Sequence, residues 1–274
     1  MFHAAEHRQG SKGAAFATFE LIYHAAVRSV RKTHNNAFMA IANNLLQSVI
    51  FVLSFYLMFS LLGLRGAAIR GDFLLYIMSG VFIFMVHTKV VGAVVQSEGP
   101  ASPMMQHAPM NTIIAIASAA LGSLYIQVLC LVIVLFVYHV AVTPIVIEHP
   151  IPAFGMLLIS WFTGVAVGVI LLAMKPWAPN FVSVFTTVYQ RANMIASGKM
   201  FVANMLPGYM LVMFDWNPLF HCIDQARGFI FINYNPMHTD WAYAVWVGLA
   251  LLMIGLMAEF YTRRSASISW GARR

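Results

Sequence analysis

Four residues between positions 217 and 227 do more than supply apolar bulk. Asn217 precedes Pro218, and His221, Asp224 and Arg227 follow at spacing three or four. Asn217 is a good helix N-cap, and proline suits the first helical position, where its missing N–H costs nothing. The spacing then places His221, Asp224 and Arg227 on one helical face. Their surroundings are apolar, and charges there are tolerable only when paired or wetted. A catalytic reading would need paired carboxylates, a Ser/His arrangement or a ligand cluster at membrane depth. No such set is evident, so no catalytic residue and no metal ligand is assigned. The string His3-Ala-Ala-Glu6-His7 fits an inverted zinc-peptidase motif, but it sits in a polar tail without a third ligand. His87, His107 and His139 are scattered over different elements.

Other side chains fit a path for a solute. Phe181, Phe185 and Tyr189 lie at spacing four on one helical face, and Tyr56 and Phe59 are candidates in an earlier segment. Aromatic faces contact sugar rings without tight directional bonds, so a chain can slide over them. Arg191 falls deep in the same apolar segment as Tyr189. A lipid-facing charge there would cost several kcal/mol. It therefore faces protein or water, either holding an anionic glycan or lipid phosphate or pairing with Asp215 or Asp224. Asn43, Asn44, Gln47 and Ser48 form a polar run inside another apolar segment, serving helix–helix hydrogen bonds or path lining. Lys89 is expected to snorkel to the nearer membrane edge, and Lys199 to lie at the outer edge.

The elements that must position these residues are membrane helices. Six stretches, 36–63, 73–96, 111–142, 153–174, 177–197 and 241–262, are long and apolar enough to cross a hydrocarbon core roughly 30 Å thick. Composition agrees: 61% of residues are hydrophobic and 9% charged, with mean hydropathy +0.77. The 274 residues leave no room for a separate soluble domain beside six spans. The fold class is an all-α membrane protein in a single permease-like domain over 1–274. The net charge of +7 could suggest nucleic acid, but the basic residues cluster at membrane edges, so anionic lipid headgroups are the expected partner.

With the N-terminus in the cytoplasm, Arg8, Lys12, Arg28, Arg31, Lys32, Lys175, Arg263, Arg264, Arg273 and Arg274 are cytoplasmic, against Arg65 and Arg70 outside. This bias places both termini in the cytoplasm. Residues 1–13 form a polar tail without the apolar core of a signal peptide. From 14 to 34, Phe16, Phe19, Tyr23, Val27 and Val30 alternate with Arg28, Arg31 and Lys32, as in a helix lying in the headgroup plane. Cys130 and Cys222 read as buried apolar residues. Gly164 and Gly168 form a GxxxG, explained by close helix packing.

Two connecting segments stand out. Residues 102–109, Ser102 to Pro109 with Met104, Met105, Gln106 and His107 between, suit a short exposed helix opened by Pro103. The segment 197–236 is apolar but cut at Ser197–Gly198, Pro207–Gly208, Asn217–Pro218 and Asn235–Pro236. Its pieces are too short to cross, which is what a re-entrant hairpin over about 199–231 needs, provided protein buries its backbone.

At these residues the chain resembles a known family. Asn217-Pro218-Leu219-Phe220-His221, then Asp224 and Arg227, is similar to the "NPL–x–H…E–x–x–R" signature of type 2 ABC exporter permeases. The similarity is to the branch exporting capsular polysaccharide and O-antigen. Element order over the whole chain agrees: interfacial helix, six spans, a short cytoplasmic helix between spans two and three, and a re-entrant hairpin before span six. Asp224 stands where Glu is usual.

The resemblance implies a bacterial inner-membrane half-transporter that forms a homodimer around a path for a lipid-linked glycan. Two copies of a separate ABC ATPase would supply ATP and magnesium chemistry. The chain itself has no G-x-x-x-x-G-K-[ST] and binds no cofactor. Met104, Met105, Gln106 and His107 would form the coupling helix. Asn217, Pro218, His221, Asp224 and Arg227 would belong to the re-entrant motif closing the periplasmic mouth. Periplasmic and outer-membrane export proteins would be further partners; nucleic acid would not. Two alternatives stay open: the same architecture with a drug, small lipid or other solute as cargo, and, more remotely, an intramembrane enzyme.

Overall fold

A computed structural model describes residues 37–63, 69, 71–99 and 112–271, with Glu20 and Ile22. The coupling helix expected over 102–109, including Met104, Met105, Gln106 and His107, lies outside the described residues, as does the interfacial helix expected over 14–34 apart from Glu20 and Ile22, which are helical. All regular structure among the described residues is helical. In chain order it comprises α1 (Ala37–Leu61), α2 (Phe73–Val95), α3 (Thr112–Ala141), α4 (Pro150–Met174), α5 (Pro179–Ala196), a 3₁₀ turn (Ala203–Met205), α6 (Gly208–Phe214), α7 (Pro218–Ile230) and α8 (Trp241–Gly271).

Five of these helices, α1, α2, α3, α4 and α8, are long and apolar enough to cross a membrane. That is the architecture of a multi-pass membrane protein. The sixth expected span, 177–197, is the helix α5, whose 18 residues include Asn180, Gln190, Arg191 and Asn193 and are less apolar than the other five. Two boundaries move for identifiable reasons. Pro150 occupies the first turn of α4 and starts that helix three residues before 153. α8 continues past 262 through Arg263 and Arg264 to Gly271, as an exposed, charged helix end can.

α2 is the central element, buried along nearly its whole length. Asp72 caps it, accepting from the Leu74 and Leu75 amides, and its second oxygen accepts from the Tyr138 hydroxyl at the end of α3. At the opposite end, the Lys175 ammonium donates to the Val95 carbonyl, and Thr262 of α8 donates to the Ala173 carbonyl of α4. α4 runs parallel to α2 at very short range. A Cβ on Gly164 would lie 2.8 Å from the His87 carbonyl oxygen, and one on Gly168 would lie 2.8 Å from the Val94 Cβ. The GxxxG therefore permits backbone-level packing, as expected of small residues at a membrane helix interface. Ser160 of α4 donates to the Ile83 carbonyl across the same seam.

Gly164→Ala should thus force α2 and α4 apart, costing about 1–3 kcal/mol. Gly155→Ala is the control, since a Cβ there meets nothing within 4 Å. Thermal melting of the purified protein should show a lower midpoint for the first and none for the second. Equal midpoints would refute tight packing at Gly164.

Candidate functional site

Beyond α5 the chain stops being regular inside the bundle, and the motif residues hold it there. Gly198 has φ +73°, a left-handed conformation suited to glycine, and a Cβ would lie 2.5 Å from the Phe220 ring. Arg227 is completely buried. Its Nη1 donates to the carbonyls of Gly198 at 2.8 Å and Phe201 at 2.6 Å, and its Nη2 to that of Lys199 at 2.6 Å. These carbonyls follow the C-terminal end of α5, where a cation is favoured. The guanidinium also lies 4.2 Å from the centre of the Tyr76 ring. Gly80 leaves room for it: a Cβ there would sit 2.7 Å from Nη2.

Asp224, one turn earlier, is also buried. Its Oδ1 accepts from the Ala203 amide and the Tyr234 hydroxyl, and its Oδ2 from Thr239. Burial, then the neighbouring carboxylate, push the Tyr234 hydroxyl far above its ordinary pKa, so it remains a donor. Asn217 caps α7 by accepting from the Leu219 amide, and its side-chain NH₂ donates to Asn193 and to the Ala196 carbonyl. The His221 tautomer follows from its partners. The Asp240 amide can only donate, so Nδ1 accepts, and Nε2–H donates to the Asp215 carbonyl at 2.7 Å. The face predicted from spacing is therefore real. Its work is to satisfy the backbone of 196–203 and of the chain entering α8.

Several expectations change here. Among the described residues, Arg191 pairs with neither Asp215 nor Asp224: Asp224 is filled as above, Asp215 lies 3.3 Å from His221, and Arg191 is exposed on α5. Lys199 is buried instead of lying at an outer edge. Its ammonium sits 3.7 Å from the centre of Phe84 and about 5 Å from those of Phe51 and Phe55, without a hydrogen-bond partner. Lys89 donates across to Gln47 of α1, and Gln127 of α3 donates to Asn44. Asn44 and Gln47 of the polar run in α1 thus make helix–helix hydrogen bonds, while Ser48 bonds the Asn44 carbonyl within α1 and Asn43 is exposed. Cys130 and Cys222 are free and buried, and burial raises the Cys222 thiol to about 12.

The aromatic candidates divide. Phe59 is buried and Tyr56 half-buried, both against Phe73 in the core. Phe181, Phe185 and Tyr189 form a stacked ladder along α5, with neighbouring ring centres 5.7 and 6.5 Å apart. Phe181 is 54% exposed and Phe185 42%. Tyr189 anchors the ladder: its hydroxyl is 2.8 Å from His87 Nε2, whose Nδ1 is 3.0 Å from the Ser160 carbonyl. That carbonyl can only accept, so Nδ1 carries the proton and Nε2 accepts from the tyrosine.

Sequence reasoning missed a second stripe on α5. Asn180, Ser183, Thr187 and Arg191 recur at three and four residues, and all are exposed. Only Val182 and Asn193 of this helix are buried. The signal was present in the spacing, but attention to apolar spans hid it.

No known protein family and no curated protein matches the chain.

Arg227→Met should leave the Lys199 and Phe201 carbonyls unpaired, each costing about 1–3 kcal/mol, while the Gly198 carbonyl keeps the Phe201 amide. Membrane abundance and melting midpoint should both fall, and Arg227→Lys, without the guanidinium fork, should restore only part. Unchanged stability in Arg227→Met would sink the backbone-clamp role. The Lys199 ammonium is buried on three ring faces without a hydrogen-bond partner among the described residues. Lys199→Met, which keeps the apolar stem and removes the charge, should therefore raise the melting midpoint. An unchanged or lower midpoint would refute a net cost of burying this charge.

Proposed function

We propose that this chain is the membrane-spanning subunit of an ATP-driven ABC exporter of a lipid-linked polysaccharide, capsule foremost and O-antigen next. The observation that carries the reading is α5. Tyr189 and Gln190 bond His87 and the Thr88 carbonyl, midway along the buried helix α2. At that depth α5 still exposes a polar stripe ending in Arg191 beside an aromatic ladder. A charge cannot face lipid cheaply there. A second copy of the chain and a wet path between the copies would shelter it. On this reading α5 is the fifth of six spans: 18 residues reach about 27 Å, close to the hydrocarbon thickness. Its polarity is then that of a path-lining helix.

Irregular backbone at membrane depth is tolerated only where protein buries it or it lines a cavity. The bonded segment 196–203 and the short helices α6 and α7 therefore support a re-entrant hairpin before the last span. Phe181 and Phe185 would offer ring faces to sugar units, and Arg191 a fixed positive charge to an acidic glycan or lipid phosphate. ATP would be hydrolysed by a separate subunit seated against 102–109. Both termini would lie in the cytoplasm of a bacterial inner membrane, following the basic residues.

The test is water access. In a background with Cys130 and Cys222 replaced by alanine, Ser183→Cys and Thr187→Cys should react in native vesicles with a charged, water-soluble methanethiosulfonate, whereas Val184→Cys should react more slowly. Absence of reaction at both polar-stripe positions rejects a wet path. For the cargo, Arg191→Ala should leave abundance and ATPase assembly intact but reduce glycan export several-fold, and Arg191→Lys should retain part of it. Normal export in Arg191→Ala would remove Arg191 from the path.

A further inference from the structure

We propose that a cavity between α1, α2 and α3 binds the phosphate-bearing, hydroxylated headgroup of a membrane lipid. The cavity measures about 320 Å³. That is at the lower end of small-molecule sites, enough for a headgroup and too small for a polymer. Its polar lining comes from Asn44 on α1, Lys89 and Gln96 on α2, Ser123 and Gln127 on α3, and Gln190 reaching in from α5. Among the described residues the lining includes one cation and no carboxylate, so it selects for an anion.

One group lacks the partners that membrane burial demands. The Lys89 ammonium has three N–H donors, and among the described residues its one bonded partner is the neutral Gln47. A lysine within a membrane helix is costly without a counter-charge or water. Gln127 on the cavity wall is 98% buried and tied to Asn44 through its Nε2. The ligand must therefore present an anion to Lys89, and the side-chain amide of Gln96 and the hydroxyl of Ser123 can each accept from or donate to its hydroxyls, which describes a phosphate ester of glycerol or of a sugar. Beside the cavity, Leu46 on α1 and Leu121 and Tyr125 on α3 are exposed apolar side chains along which acyl chains can lie. The inference stands on the membrane helices alone. Under the transport reading the same headgroup chemistry would belong to the lipid-linked cargo.

Native mass spectrometry of the purified full chain in detergent doped with defined lipids tests it. Phosphatidylglycerol has both a phosphate and free hydroxyls, and should stay bound after activation that strips detergent. Phosphatidylcholine, with a cationic cap and no hydroxyl, should be retained much less. Lys89→Gln should lose about ten-fold in phosphatidylglycerol retention, as expected for one charge-assisted hydrogen bond, and Lys89→Arg should keep most of it. Ser123→Phe, which fills the cavity without touching the charge, should lose retention too and carries the test if Lys89→Gln fails to insert. Equal retention of the two lipids, or unchanged retention in Lys89→Gln or Ser123→Phe, overturns the proposal. Displacement by millimolar inorganic phosphate also overturns it, because the site would then serve a free anion. None of these outcomes depends on whether the chain exports a glycan.

Discussion

Arg227 spends its charge on backbone. Fully buried, its guanidinium takes the carbonyls of Gly198, Lys199 and Phe201, while Asp224 takes the Ala203 amide and Asn217 the Ala196 carbonyl. A helix satisfies its own peptide groups; a broken segment between membrane helices does not, and each unmet group there is costly. The break after α5 therefore exists only because α7 brings three polar side chains to it. Asp224 also suits this task in its own right. Its two oxygens already accept from Ala203, Tyr234 and Thr239, so the shorter side chain is matched to near backbone and loop donors instead of to Arg227.

From this clamp the rest of the arrangement follows. Once 198–203 is fixed, Lys199 is pressed against α1 and α2 and reaches Phe51, Phe55 and Phe84. Gly80 and Gly198 are then needed, because Arg227, the Lys199 backbone and the Phe220 ring occupy the space a Cβ would take. α5 is positioned at both ends, by Asn217 bonding Asn193 and Ala196 and by Lys175 just before it bonding Val95. Tyr189 on His87 sets its rotation. That rotation turns Val182 and Asn193 inward and leaves Phe181, Phe185 and Arg191 facing out.

The sequence made the long elements legible because length and apolar content suffice to find them. The expected 73–96 differs from Phe73–Val95 by one residue at its end, and 111–142 from Thr112–Ala141 by one residue at each end. The Asn217–Pro218 start of α7 was legible for the same local reason: cap chemistry is written in neighbouring residues. Partners of charges were not. Lys199, Lys89 and Arg191 differ in fate because of residues up to about 150 positions away, and spacing along one helix carries no trace of them. The Asn180–Arg191 stripe was readable in principle, since it needs only a period of three to four. It was masked by a hydropathy criterion that treats a span as uniformly apolar.

Polar groups in this fold sort by whether one copy of the chain satisfies them. Asn217, His221, Asp224, Arg227 and the His87–Tyr189 pair have partners within it and act as joints. Among the described residues the spare donors of Lys89 do not, and neither does Arg191 on the open face of α5; the Lys199 ammonium, the Gln127 Oε1 and the Glu259 Oε1 are also unpartnered but are sealed inside the protein. In water such residues would carry no message, because solvent would complete them. In hydrocarbon an incomplete polar group is expensive and persists only if something outside the chain completes it. The two incomplete places that something outside the chain can reach are different in kind. One is a small cavity among α1, α2, α3 and α5, with room for a headgroup. The other is an open helix face about 27 Å long, too extended for a small ligand and suited to a second copy of the chain and a path between them.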